Sequence, residues 1–484
     1  MPPCARVTFD SFTFVVFFAV VLVVDRALSS ARARKAHLLG ASALFYAAWN
    51  PPFVLLVALS TIVDYVVMHR IARSDDARAR RAWLLCSLAV NLSLLGFFKY
   101  GGFVVENSER ALAALGVSLQ FAAPDIVLPV GISFYTFQTL STTIDVYRRR
   151  IAPTASLLDY ALFVTFFPQL VAGPIVRGSA LLPQIDAMPR ASGALVRHGL
   201  ALVVVGLAMK VALADAFFAP VADVVFAEGA RPSTALAYAG VLAFSGQIFC
   251  DFAGYSTCAI GSALALGFAL PDNFRAPYAA RGLSDFWRRW HITLSSWLRD
   301  YLYVPLGGSR GGAFATARNL AITMLLGGLW HGAAWTFVAW GAIHGAALVV
   351  EHALLRAGPL VRLLAGVRGP SRALLSLVGA LATLVVVVIA WVPFRAPSFE
   401  AARAVLSAMF FAPAVDARAA ALTDAIPVAL FALLVVWQHA TRDTSLEQIF
   451  ARLPRAARAL VVALLALTVV FSSGEDRAFL YFQF

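Results

Sequence analysis

Phe12-Thr13-Phe14-Val15-Val16-Phe17-Phe18-Ala19-Val20-Val21-Leu22-Val23-Val24 runs into Asp25-Arg26, and the basic residues Arg32, Arg34 and Lys35 follow. A cleavable leader has the opposite polarity, with its positive charge before the apolar run and a small-residue cleavage site after it. The stretch therefore reads as a retained membrane helix whose N-terminus faces outward, because basic residues collect on the cytoplasmic side.

The same rule carries along the chain. A spanning helix takes about 20 apolar residues. Residues 36–69 are apolar but broken by Asn50-Pro51-Pro52, predicting two short helices and an external turn before the cluster Arg70, Arg73, Arg78, Arg80 and Arg81. The segment from Ala82 to Phe103 leads to a loop without a basic cluster near Glu106 to Asp125, and the next returns to Arg148-Arg149-Arg150. Residues 157–176 contain Pro168, Gly173 and Pro174 with basic residues on both flanks. That predicts a re-entrant segment, since broken backbone survives at membrane depth only when buried in protein or facing water. Helices near 199–219 and 235–265 precede a basic stretch from Arg275 to Arg310. A long apolar region at 318–350, basic residues from Arg356 to Arg372, and segments near 374–393, 425–440 and 458–472 complete the chain. Every strong basic cluster falls on one side, and the expectation is an all-α polytopic bundle of roughly eleven or twelve spans.

Composition agrees. Of 484 residues, 61% are hydrophobic and 13% charged, with a mean hydropathy of +0.79, whereas soluble domains are about half apolar and a quarter charged. One integral membrane domain over residues 1–484 is expected. The net charge of +13 lies in clusters between apolar runs, which suits anionic lipid headgroups rather than nucleic acid. Cys4, Cys86, Cys250 and Cys258 form neither a metal-ligand pair nor a disulfide framework, and Cys250 and Cys258 read as small packing hydrophobes.

Ser284 to Tyr301 has a different pattern. At 100° per residue, Trp287, Trp290, His291, Leu294, Trp297, Leu298 and Tyr301 share one face, and Arg288, Arg289, Ser295, Ser296, Arg299 and Asp300 lie opposite. The pattern predicts one amphipathic helix at the cytoplasmic interface, with Ser284 as its N-cap.

Polar groups inside apolar segments are costly and are functional candidates by default. Trp330-His331-Gly332 lies within Leu325-Leu326-Gly327-Gly328-Leu329 and Ala333-Ala334-Trp335. Imidazole moves protons near neutral pH, and glycines admit close approach. A histidine bonded to a neighbouring helix is the other reading these residues leave open. His291 points from the interfacial helix toward the bundle, either as a functional group or as a hydrogen bond holding that helix. His344, thirteen residues after His331, faces nearly the opposite way and reads as packing. Asp251 shares a helix face with Gln247 and Tyr255, an internal polar lattice, and Asp145 sits beside the arginine triplet as a pairing partner. Gly307-Gly308-Ser309-Arg310-Gly311 matches the nucleophile-elbow pattern without the strand it requires. Asn91-Leu92-Ser93 matches a glycosylation sequon inside a predicted helix.

The chain resembles the membrane-bound O-acyltransferases, in particular the bacterial branch of alginate O-acetyltransferase type. The resemblance rests on Tyr135-Thr136-Phe137-Gln138, Ile144-Asp145-Val146-Tyr147, Phe167-Pro168-Gln169-Leu170-Val171-Ala172-Gly173-Pro174 and Asp251-Phe252-Ala253-Gly254-Tyr255-Ser256. It continues through Asp285-Phe286-Trp287-Arg288-Arg289-Trp290-His291, Tyr303-Val304-Pro305-Leu306-Gly307-Gly308, Leu329-Trp330-His331-Gly332 and Trp391-Val392-Pro393-Phe394-Arg395. One departure is Thr142, where the alginate-type pattern usually carries an aromatic residue.

The resemblance implies that His331 is the catalytic histidine and His291 its second histidine or polar partner, in a bundle with a narrowed centre. It implies acetyl-CoA as donor from the cytosolic side, no metal, and an exported polysaccharide or a periplasmic acetyltransferase as recipient. Trp287, Arg288, Trp290, Trp330, Asp251 and Gln138 are the expected substrate-binding residues, and the bacterial inner membrane is the expected location. Acyl or D-alanyl transfer from a carrier protein is the alternative within the same chemistry. A polysaccharide exporter is the alternative from another class, and it predicts paired intramembrane charges and internal repeats.

Overall fold

The computed structural model describes residues 7–119, 121, 127–171, 173–356, 368–411, 422–472, 477, 479 and 480. Cys4, Asp125, Ala172 and part of the basic stretch from Arg356 to Arg372 lie outside them. Every regular element among the described residues is helical, as the membrane-bundle reading expects. Six helical stretches among the described residues are long and apolar enough to cross a membrane: Phe53–Arg73, Ala77–Ala114, Gly193–Phe226, Thr234–Leu266, Trp335–Arg356 and Pro370–Arg395. That is fewer than the eleven or twelve expected. The difference arises because several apolar stretches fold into shorter helices, such as Phe12–Ala27, Ala31–Ala47 and Leu157–Thr165.

The chain packs as two compact units. The first comprises Met1–Val203 with Cys258–Pro271. Ser11 caps the Phe12–Ala27 helix by accepting from the Phe14 N–H at 3.1 Å, and Asp76 caps Ala77–Leu95. The basic clusters that mark this unit's loops are partly consumed in folding. Arg34 is fully buried, grips Asp25 through two bonds of 2.9 Å, and donates to the carbonyls of Met188 and Pro189. Lys35 pairs with Asp159 at 2.9 Å. Asp145 pairs with Arg150 at 3.6 Å, as its neighbours suggest. Asn91 of the sequon is buried and donates to Asp64, which closes it to glycosylation.

The predicted re-entrant segment is broken and buried. Leu157–Thr165 ends at Phe166, a four-residue helix Phe167–Leu170 follows, and residues 174–177 carry no regular structure. Two amides satisfy the carbonyl exposed by that break. Gln138 and Gln169 donate to Phe163 O at 2.7 and 2.6 Å, meeting the requirement that buried backbone be bonded.

The second unit comprises Val204–Thr257 with Asp272–Phe484. Its centre is a hairpin of the helices Gly312–His331 and Trp335–Arg356. Small residues let the two backbones approach: a Cβ on Gly328 would lie 2.3 Å from Phe337 O, and one on Gly341 2.3 Å from Met324 O.

The single interfacial helix expected over Ser284 to Tyr301 is not formed. Helix Leu283–Trp287 stops, a turn follows, His291 adopts φ 42° and ψ 54°, and Ile292–Leu298 resumes before a π-helical Arg299–Tyr303. Ser284 is not the N-cap either. The Glu351 carboxylate reaches across to accept from the N–H groups of Leu283 and Ser284. The predicted apolar face survives the break, since Trp287, Trp290, His291, Leu294, Trp297, Leu298 and Tyr301 are all buried.

Candidate active site

His331 is the last residue of its helix, which Gly332 ends in extended conformation. A Cβ on Gly332 would lie 2.1 Å from Cε2 of Phe337, so glycine is needed for the chain to turn tightly over that ring. The imidazole is buried and meets three aromatic rings edge-on: Trp330 at 5.0 Å, Trp340 at 4.9 Å and Phe394 at 5.3 Å between centroids.

Trp330 also meets His291, at 5.8 Å, so one indole contacts both histidines. His291 is fully buried and packs edge-on against Phe252 at 4.6 Å. Its Nδ1 lies 3.1 Å from Asn273 Oδ1. Burial pushes its pKa down to about 3, because the charged form is costly away from water. The ring is neutral at physiological pH.

Trp290 stacks on Phe286 at 5.7 Å and reaches Trp391 at 5.0 Å. Trp287 meets Trp340 at 5.7 Å and His344 at 5.2 Å. Trp287, Trp290 and Trp330 are thus drawn into one aromatic cluster with the two histidines, and His344 packs into its far side. Arg288 is not drawn in: its side chain is largely exposed, with Asp285 at 4.0 Å. Asp251 is committed to an ion pair, as Lys210 Nζ lies 2.7 Å from it and 2.9 Å from Asp215. Its second oxygen accepts the Leu480 N–H at 2.9 Å. Gln138 lies in the first unit, where its amide serves the Phe163 carbonyl.

Several contributors escape a reading of the sequence by itself. Lys210 sits in the apolar run 202–213, and its partner Asp251 is remote in sequence. Trp340, Asn273 and Glu351 carry no motif, although helical spacing from the Trp335 turn offers a weak signal for Trp340. The 307–311 stretch is a turn in which Ser309 Oγ bonds the Tyr303 hydroxyl at 2.8 Å, and the described residues before it hold no strand.

Comparison with known proteins places the chain in a family. Residues 148–388 match the model of MBOAT, the membrane-bound O-acyltransferase family. The chain is 42% identical over 403 residues to the probable alginate O-acetylase AlgI of Pseudomonas aeruginosa, covering 83% of this chain and 74% of that one. It is 37% identical over 401 residues to the peptidoglycan O-acetyltransferase of Helicobacter pylori, covering 78% and 73%. A teichoic acid D-alanyltransferase of Streptococcus thermophilus is 30% identical over 243 residues, covering 47% and 57%. A buried histidine at a helix end within a polytopic helical fold and these similarities lead to one conclusion: the chain belongs to the membrane-bound O-acyltransferase family and is an O-acyltransferase.

Proposed function

We propose that the enzyme transfers acetyl from cytosolic acetyl-CoA to hydroxyls of an exported, alginate-like polysaccharide, with His331 as the general base. His331 Nε2 or Nδ1 takes the proton of the acceptor hydroxyl as its oxygen attacks the thioester carbonyl carbon. The resulting oxyanion collapses, the C–S bond breaks, and the thiolate leaves and is protonated by the imidazolium or by water. An ester and free thiol result, with no change of oxidation state. A positioned base contributes roughly 10²–10⁴ in rate. The observation that carries the proposal is the buried His331 at the turn of its hairpin, one indole away from a second buried imidazole.

Trp287, Trp290 and Trp330 line the donor's path in this reading, Arg288 meets it at the exposed face, Asp251 supports backbone in the same unit, and Gln138 supports the first unit's backbone at Phe163. The acetyl reading is preferred to D-alanyl transfer from a carrier protein because the two O-acetylating relatives match far more of the chain than the D-alanyltransferase does. The same reading puts the enzyme in a bacterial inner membrane, with a periplasmic acetyltransferase as recipient where acetyl is relayed.

The test is transfer from labelled acetyl-CoA in membranes carrying wild type or His331→Ala at matched, folded protein levels. Loss of label transfer in the variant is expected. A fully active His331→Ala enzyme would overturn the assignment.

A further inference from the structure

His291 is held by a residue that settles its protonation. Asn273 is buried, and its side-chain oxygen accepts from the Thr293 backbone N–H at 3.3 Å and from Thr293 Oγ1 at 2.9 Å. Its Nδ2 donates to Ser256 Oγ at 3.1 Å, and its backbone carbonyl accepts the Ile292 N–H at 2.9 Å. A backbone N–H can only donate, so the amide atom facing Thr293 is the oxygen, and the usual O/N ambiguity of an asparagine is removed.

The same oxygen lies 3.1 Å from His291 Nδ1. A carbonyl oxygen has no proton to give, so Nδ1 must carry one. A neutral imidazole has a single N–H, which leaves Nε2 as an acceptor. The backbone supports the same conclusion. His291 sits at φ 42°, in the left-handed region that costs a non-glycine residue roughly 1–2 kcal/mol, and such strain persists only where surrounding bonds over-determine it. Asn273 supplies those bonds on both sides, to the ring and to the two residues that follow it.

We infer that Asn273 is a positioning residue that locks His291 as its Nδ1–H tautomer, so that Nε2 accepts a hydrogen bond from an O–H or N–H of the bound substrates. The inference rests on the acyl-transfer reading of this site. It assigns the two histidines distinct tasks, since a ring in this tautomer cannot donate from Nε2 to the oxyanion formed at the carbonyl. His291 orients a donor group, and stabilisation of the oxyanion falls to other groups.

The experiment reads the tautomer directly. The full chain, labelled with 15N-histidine and held in lipid bilayers, is compared with Asn273→Leu and Asn273→Asp, and the His291 signals are identified by their loss in His291→Gln. Wild type is expected to show a protonated Nδ1 and an unprotonated Nε2 across the neutral range. Asn273→Leu, which keeps the backbone bond to Ile292, is expected to lose that preference. Its acetyl transfer should fall by about tenfold to a hundredfold, the scale on which partners that orient functional histidines act. Asn273→Asp keeps an acceptor at Nδ1 but favours the imidazolium, so its activity should fail on the acid side at a higher pH than wild type. A protonated Nε2 in wild type, or an unchanged tautomer in Asn273→Leu, overturns the inference. Because this readout needs no turnover, it separates failure here from failure of the acyl-transfer proposal, which would leave the tautomer intact.

Discussion

Gly332 and Phe337 are in such close register that a β-carbon on the glycine would fall 2.1 to 2.8 Å from three atoms of the phenyl ring. The glycine follows His331 directly, and the ring belongs to the returning helix, where it meets Phe394 edge-on at 4.9 Å. Phe394 in turn flanks the His331 imidazole. The turn, the ring beneath it and the histidine therefore form one packed unit, and the position of the proposed base depends on the absence of a single methyl group.

Gly332→Ala should accordingly abolish most acetyl transfer while leaving the membrane fold assembled. Its φ of −159° is open to alanine, so the penalty is steric, at the roughly 1–3 kcal/mol typical of overpacking. Gly332→Ala combined with Phe337→Leu should recover part of the lost activity by vacating the ring edge. Transfer from labelled acetyl-CoA in membranes measures both. A double variant no better than the single one would show that the contact is not what limits the site.

The Lys210–Asp251–Asp215 cluster makes an opposite demand, on charge rather than volume. Lys210 is buried between both carboxylates. Lys210→Met leaves the buried Asp251 carboxylate and the partly buried Asp215 without this cation, and breaking a buried pair in this way costs about 3–5 kcal/mol. Thermal unfolding of the purified protein should show a large drop in midpoint. Asp251→Asn keeps Lys210 paired with Asp215 and should be milder, with the KM for acetyl-CoA unchanged in the folded fraction. A selective rise in that KM would instead return Asp251 to the substrate-binding set.

Much of this architecture is legible in the residues themselves. The apolar runs and basic clusters impose a helical membrane fold, since nothing else in this composition satisfies the backbone in lipid. His331 stands out because a polar ring in an apolar run needs a reason. The interfacial segment reads correctly for burial and wrongly for shape. A helical period describes which side chains turn inward, and two short helices joined by a left-handed residue at His291 preserve that pattern. Lys210 and Asn273 are not legible, because their meaning lies in partners about 40 and 20 residues away that no local spacing encodes.

The replaced N-cap makes that difference measurable. Ser284 has the right chemistry for a cap, yet Glu351 caps the helix from the hairpin. Glu351→Ala should therefore destabilise the protein by about 1 kcal/mol, the usual loss for a removed cap, and Ser284→Ala should change little. Thermal unfolding of the two variants decides it, and the reverse ranking would restore the serine as the cap.

The more exposed side of the same segment responds to pH. Burial alone would raise the pKa of Asp285, but the Arg281 N–H, Arg289 and Arg442 outweigh it and hold the carboxyl below its ordinary value. A carboxylate depressed on folding stabilises the protein above its unfolded pKa, about 3.9, and that contribution fades as the pH falls toward the folded value. At pH 7 wild type should therefore melt above Asp285→Asn, and the gap should close progressively below about pH 4. Melting midpoints of both proteins, followed from pH 7 to pH 3, are the measurement. A gap that stays constant over that range would mean that the arginines hold this segment through packing of their long stems, with the charge on Asp285 contributing nothing.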